Sequence, residues 1–343
     1  MSTVDEVIHS APALCKAVLV LPRFRVQNAN AISSPLTWGF PAVSAFTGLI
    51  IALERRLGPD AGISIYGVGI VCHSHEAQVT QGGYTRAFML TRNPVQADGG
   101  TAGIVEEGRI HLDLTLVLDV EIEARQAGEA ERQALADRVA HELAGMRVAG
   151  GSVMPALPTE RRRPDRPTLE LVPSLPEDQR QQFRRLARRW LPGFALVSRD
   201  DLLNSRLREL QASTPEATAL DAWLDLSRWN HRAVLQPVTA EGEAPATAWE
   251  TDSRAGWTVP IPVGYAALSE LHPAGSVAGA RDMHTPFRFV ECVWSMGQWI
   301  GPLRLKKLDD LFWFANHDAS LGLYRCRNRY TTAPISADLA AQD

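Results

Sequence analysis

The chain has 343 residues, 45% of them hydrophobic and 22% charged, with 35 basic against 39 acidic side chains. These values exclude a largely disordered polypeptide and leave room for a well-buried core in one or two domains. A formal net charge of −4 excludes a protein that coats nucleic acid by bulk electrostatics. Four scattered cysteines with no C-x-x-C pair exclude a disulfide framework or a zinc knuckle and fit a reducing cytoplasm.

Residues 17–22 (AVLVLP) read as a buried first strand, too short to span a membrane. The polar stretch 27–41, QNANAISSPLTWGFP, reads as a loop. A helix follows over 43–57, with Phe46, Leu49, Ile50 and Leu53 on one face. Residues 62–72 read as a second strand and 73–105 as an insertion, with a strand expected at 84–91 and turn signals on either side. Between 109 and 120, Ile110, Leu112, Leu114, Leu116, Leu118 and Val120 alternate with His111, Asp113, Thr115 and Asp119, the pattern of a half-buried antiparallel strand. A helix over 128–147 and a short strand over 148–154, carrying Gly150 and Gly151, complete a β-α-β-β-α-β order. That order predicts an α+β, ferredoxin-like domain of the RRM type over 17–155.

Residues 155–176 hold six prolines and the run Arg161-Arg162-Arg163, and read as an exposed connector, placed at 156–176. Beyond it, 177–231 reads as helical, with Arg180, Arg184 and Arg188 in one stripe and no carboxylate between 179 and 190. Residues 236–256 read as a polar loop. The rest mixes a strand-like WTVPIPVGY with two apolar helices near 286–316 bearing Trp294, Trp299 and Trp313. The region 177–330 is therefore expected to be largely helical.

Familiar catalytic signatures are missing. There is no G-x-x-x-x-G-K-[ST] loop and no G-x-S-x-G elbow, and Gly67-x-Gly69 lies inside an apolar strand without a third glycine. His73 and His75 share a strand face, but two imidazoles do not make a zinc site. No metal or other cofactor is implied. One of these histidines could serve as general base in a metal-independent ribonuclease. Asp119, Glu121 and Glu123 alternate at a strand end and read as solvated.

Charge is spread unevenly. No carboxylate occurs in the 47 residues from Val7 to Leu53, so the local potential is more positive than the sum. The basic set comprises 32 Arg and only 3 Lys, a skew that a GC-rich coding sequence largely accounts for. Inside the acid-free stretch, Gln27, Asn28, Asn30, Ser33 and Ser34 offer groups able to read base edges or phosphates. Trp38 and Phe40 could stack a base, and Arg23 and Arg25 flank the segment. The competing reading is a turn whose polar side chains cap the following helix.

Several blocks resemble the Csy-two family, among them LPRFRVQNANAISSPLTWGFP (21–41), GVGIVCHSHEAQ (67–78), LTRNP (90–94), MRVAGGSVMP (146–155), RRWLPGFALVSRDDL (188–202) and VPIPVGYAALS (259–269). The family is the Cas-five-type (RAMP superfamily) subunit of the type I-F CRISPR RNA-guided surveillance complex. The resemblance implies a ferredoxin-like, non-catalytic subunit that binds the 5′ handle of CRISPR RNA. Its implied partners are the large subunit, the adjacent backbone subunit and, in the assembled complex, target DNA. It also places Arg92, Asn93, Arg147, Gly150 and Gly151 near the RNA, beside the 27–35 segment. A Cas-five-type endoribonuclease processing precursor RNA and a pure protein scaffold are the rival readings.

Overall fold

The computed structural model describes residues 13–330, apart from 93–94, 97, 102, 156–165, 236–246, 253, 255 and 281. Eleven strands form one sheet, and every pairing in it is antiparallel. In chain order they are β1 (Leu14–Asn30), β2 (Ile63–Ala77), β3 (Arg109–Glu123), β4 (Arg147–Val148), β5 (Gly151–Met154), β6 (Thr168–Leu171), β7 (Phe194–Ser198), β8 (Trp257–Ala267), β9 (Val290–Ile300), β10 (Trp313–Asp318) and β11 (Leu323–Asn328). The helices are α1 (Val43–Leu57), α2 (Glu129–Ala144), α3 (Pro176–Arg189), α4 (Asp200–Ser213) and α5 (Ala219–Ser227). None of them is long and apolar enough to cross a membrane.

The sheet runs β4-β5-β1-β3-β2-β7-β9-β8-β11-β10, with β6 added along β1. Its middle strands are buried on both faces, which explains the unbroken apolar run at the start of β1. Ala17, Leu19 and Leu21 join the core beneath α1 and α2, while Val18 and Val20 join a second core under α3. Strand β3 does the same. Its even positions from Ile110 to Ile122 pack under α1 and α2, and Val117 packs with Phe183, Leu186 and Trp190 on the far side. The face read as half-solvated is therefore covered: Thr115 and Asp119 are buried. Burial pushes the Asp119 carboxyl above its ordinary range, partly offset by Lys16.

The sheet overturns the expected ferredoxin-like domain with a helical C-terminal region. The elements from β1 to β5 follow the order read from the sequence, but they do not close off as a four-stranded unit. The free edge of β2 continues into β7 through Phe194↔Cys72 and Ala195↔Val71. It also meets β10 through Trp313↔Val68, so β2, β7, β9, β8, β11 and β10 close into a ring of strands. Residues 290–300, expected as helix, form the long strand β9, and 302–311 form only short 3₁₀ turns. Short apolar runs do not separate helix from strand by periodicity alone. Here the content of Val, Trp and Ile favours strand, and Gly297 permits the close approach of the neighbouring strand, since a Cβ there would lie 2.9 Å from Ile261 Cδ1. Strand β7 also interrupts the stretch expected to be helical throughout.

The ring closes because β2 carries glycine twice. A Cβ on Gly69 would overlap the side chain of Leu311, which is fully buried, and one on Gly67 would sit 3.3 Å from Trp313 O. Beside this contact the indole of Trp313 is fully buried and donates through Nε1 to Leu196 O of β7 at 2.8 Å. Helix α3 is fastened separately, by a two-point pairing of Arg185 with Glu170 of β6. Burial raises the Glu170 carboxyl, but hydrogen bonds from Arg185 and Gln182 outweigh it and hold the group below its usual range.

Two outcomes are expected. Gly69→Ala overpacks a site with no slack and costs about 1–3 kcal/mol in urea unfolding, whereas Gly82→Ala, where nothing lies within 4 Å of the added Cβ, changes stability by less than about 0.5 kcal/mol. The lowered Glu170 group stabilises the fold above the ordinary carboxylate range and loses that contribution as pH falls through its folded value. Arg185→Ala should therefore lessen the loss of stability between about pH 5 and pH 3, read from unfolding midpoints.

Candidate nucleic-acid interface

Strand β1 runs eight residues beyond the end expected at 22, so Gln27, Asn28 and Asn30 belong to a strand rather than a loop. Its pairing with β3 is interrupted twice, between Leu21 and Phe24 and between Val26 and Ala29. Each bulge holds a residue with positive φ, Arg23 at 39° and Asn28 at 58°. Asparagine tolerates this conformation better than most side chains. At Asn28 the backbone N–H donates to His111 Nδ1 at 3.2 Å, and Oδ1 accepts from Gln78 Nε2, which lies 2.9 Å from His111 Nε2. The second bulge thus gathers polar side chains from β1, β3 and the residue following β2.

The β4–β5 hairpin lies against this bulge. Ala149 and Gly150, both with positive φ, form its two-residue turn. A Cβ on Gly151 would fall 2.6 Å from Gln27 O and 2.7 Å from Ala29 N, so only glycine fits there. Asn30 N–H donates to Ala149 O at 2.8 Å, and Arg147 Nη1 donates to Gly150 O at 3.1 Å. Gln27 sits opposite Ser152 of β5, and Arg25 opposite Met154. Among the described residues neither the Gln27 nor the Arg25 side chain makes a hydrogen bond or ion pair.

Other candidates are committed to the fold. Arg23 lies 3.5 Å from Asp113 and donates to Leu191 O and Pro192 O. The Asn30 side chain closes a ring on the backbone of Ile32 at 2.8 and 3.1 Å. Ser33 and Ser34 bond Thr37, and Ser34 is buried and accepts from Trp294 Nε1 at 3.0 Å. Helix α1 has no side-chain cap at Ala42, so the polar residues before it are not capping groups. Arg92 lies in the strand Leu90–Arg92, paired with Ile104; its side chain, Asn93 and Arg161–Arg163 lie outside what is described. Among the C-terminal arginines, Arg325 pairs with Asp200 at 2.8 Å and Arg329 lies over Phe314.

Two clefts flank the 33–45 segment, and Ser33 and Pro41 line both. The smaller, about 530 Å³, is formed by Asn30, Ala149, Tyr265, Tyr324 and the first turn of α1. The larger, about 580 Å³, is lined by Trp38, His75, Arg86, Phe194, Trp257 and Trp299 among others. No carboxylate lines either one. Two further clefts on the molecule contain Asp119 and Asp309, or Glu54, Glu121 and Glu123.

The family model for CRISPR-associated protein (Cas_Csy2) matches residues 19–326. The chain is also 48% identical over 312 residues to CRISPR-associated protein Csy2 of Pseudomonas aeruginosa (strain UCBPP-PA14), covering 90% of this chain and 94% of that relative. The chain belongs to the Csy2 family.

For a Csy2 family member the His73 site reads as structural. Its Nδ1 lies 2.7 Å from Pro192 O and its Nε2 2.8 Å from Thr115 Oγ1, so both ring nitrogens are engaged. Among the described residues no three His, Cys, Asp or Glu side chains come together around a common point. Next to His73, burial first and the Asp113 charge second push the Cys72 thiol up to about 12, far from the thiolate that a nucleophile requires.

Sequence reasoning missed Gln78, His111, Arg86, Phe194 and Trp257 as parts of this surface. The signal available for Trp257 was its place on one face of a strand-like stretch with Val259 and Ile261. For Phe194 the only signal was its place in the family-like block 188–202, because its neighbours read as helix. At pH 8 the Cys72 thiol should stay unalkylated by iodoacetamide in the folded protein and react once the chain is unfolded, as read by peptide mass spectrometry.

Proposed function

We propose that this Csy2 family protein is a non-catalytic, RNA-binding subunit of the type I-F CRISPR surveillance complex, holding the 5′ handle of CRISPR RNA beside the Asn28 bulge. One observation carries the reading: the two clefts flanking residues 33–45 are free of carboxylates, on a chain whose acidic groups outnumber its basic ones. A polyanion responds to local potential, so a near-neutral sum does not oppose it. Asn28, Gln78 and His111 are held in fixed orientations, and such groups recognise splayed bases and sugar hydroxyls at little entropic cost. Arg25 and Gln27 add polar side chains not committed elsewhere.

In this reading the large subunit, the adjacent backbone subunit and target DNA are the partners in the cytoplasm, and RNA cleavage belongs to another component. The engaged nitrogens of His73 support assigning it to the fold rather than to catalysis.

The test uses the co-expressed complex. Arg25→Ala with Gln27→Ala should lower the CRISPR RNA recovered per complex by about tenfold, the effect of losing one charged and one neutral hydrogen bond to RNA. Unchanged RNA recovery and unchanged assembly would refute the site. Specific cleavage of precursor RNA by the purified chain, lost in His73→Ala, would refute the non-catalytic assignment.

A further inference from the structure

We propose that the 580 Å³ groove lined by Trp38, Phe194, Trp257 and Trp299 is a nucleobase site, taking one unstacked base of single-stranded RNA while Arg86 meets its phosphate. The proposal rests on the reading of this chain as an RNA-binding subunit and deepens it by naming where a base is held.

Four observations support it. First, the groove exposes aromatic surface. Trp38, Phe194 and Trp257 keep 48%, 47% and 48% of their surface open. Leaving three such side chains open together adds nothing to stability.

Second, these rings are fixed in place. Phe194 packs edge-on against Trp257 at 5.6 Å, Trp257 lies 6.1 Å from Trp299, and Trp299 packs edge-on against Phe40 at 4.8 Å. Trp38 is braced from behind by Phe88 of the 79–88 hairpin at 5.5 Å. Base stacking on preset aromatic faces is sequence-tolerant and needs no rearrangement.

Third, the polar lining suits a base and a phosphate rather than a cation. His75 and Ser74 supply hydrogen-bonding groups, Arg86 has no ion-pair partner among the described residues, and no carboxylate is present. An aromatic cage for an ammonium ligand would gain from a carboxylate, and none is available. Fourth, the groove is of single-ligand size, too small for a duplex. Ser33 and Pro41 connect it to the cleft at Asn30, so a single strand leaving the groove is led toward the Asn28 bulge.

The complex is assembled on synthetic guide RNA, irradiated at 254 nm, and its crosslinked peptides are mapped by mass spectrometry. A handle nucleotide attached at Trp38, Phe194 or Trp257, localised to the residue by fragmentation, is the expected result. Crosslinks confined to residues 25–30 or to the 147–152 hairpin would overturn the groove and leave the RNA-binding reading standing. No crosslink to this chain at all would overturn both. In parallel, Trp257→Ala should raise the dissociation constant for guide RNA by about tenfold, and Trp257→Phe should restore it to within about threefold. Wild-type affinity in Trp257→Ala, or loss of a protein subunit with RNA affinity intact, would overturn the proposal; the second result would reassign the groove to a protein partner.

Discussion

The far edge of β2 is the constraint on which the molecule is built. A strand in a sheet ordinarily has one neighbour on each edge, but this edge serves β7 at one end and β10 at the other. That is possible only if the chain from 308 to 313 can come down onto the strand. Gly67 and Gly69 allow the approach, because a Cβ at 69 would occupy the space of Leu311. Trp313 then spans the ring to Leu196. Strands β9 and β8 are reached from β1 through β3, β2 and β7, and the closure ties β10 and β11, at the far end of that path, back onto β2.

The chain's arginines serve two ends. Many are spent on pairs within the chain, some buried and some at its surface, where a planar fork can grip a carboxylate at two points. Arg199, almost fully buried, holds Asp201 and Gln298; Arg206 holds Asp225 and Glu209; Arg185 holds Glu170. These pairs account for much of the near balance of charge without placing positive potential on the surface. The α3 stripe illustrates the point. No acid lies between 179 and 190 in sequence, yet Glu170 arrives from β6 to neutralise Arg185, and Arg180 lies 3.7 Å from Glu177. Arg25 and Arg86 are of the other kind: among the described residues neither makes an ion pair, although Asp113 stands opposite Arg25 on β3 and turns to Arg23 instead.

The two bulges of β1 show how similar backbone irregularities acquire different uses. Arg23 and Asn28 both adopt positive φ. Arg23 turns its side chain into contacts with Asp113 and the 191–192 backbone, fastening the strand to the segment that leads into β7. Asn28 turns its side chain toward Gln78 and leaves the neighbouring Gln27 uncommitted. The first bulge therefore supports the architecture and the second presents polar groups at its edge.

The sequence alone was enough for several elements whose signal is local, though 27–30, read as loop, extends β1, and Thr247–Thr251, inside the stretch read as a polar loop, is a strand paired with His231–Leu235. The period of α1 came out at its observed bounds, the alternation of β3 was plain, and the acid-free stretch and the glycine pair at 150–151 marked the surface that the clefts adjoin. The matched blocks identified the family. What failed was anything set by partners distant along the chain. Strand β9 read as helix because an apolar run of its length satisfies either period until a neighbouring strand supplies its hydrogen bonds. The polar face of β3 read as solvated because the α3 cover arrives from sixty residues away. The groove could not be read at all. Trp38, Arg86, Phe194, Trp257 and Trp299 are far apart in sequence, and periodicity reports only which residues share a face of one element. Which faces meet was decided by the closure on β2, through a steric allowance at two glycines whose meaning depends on what packs against them.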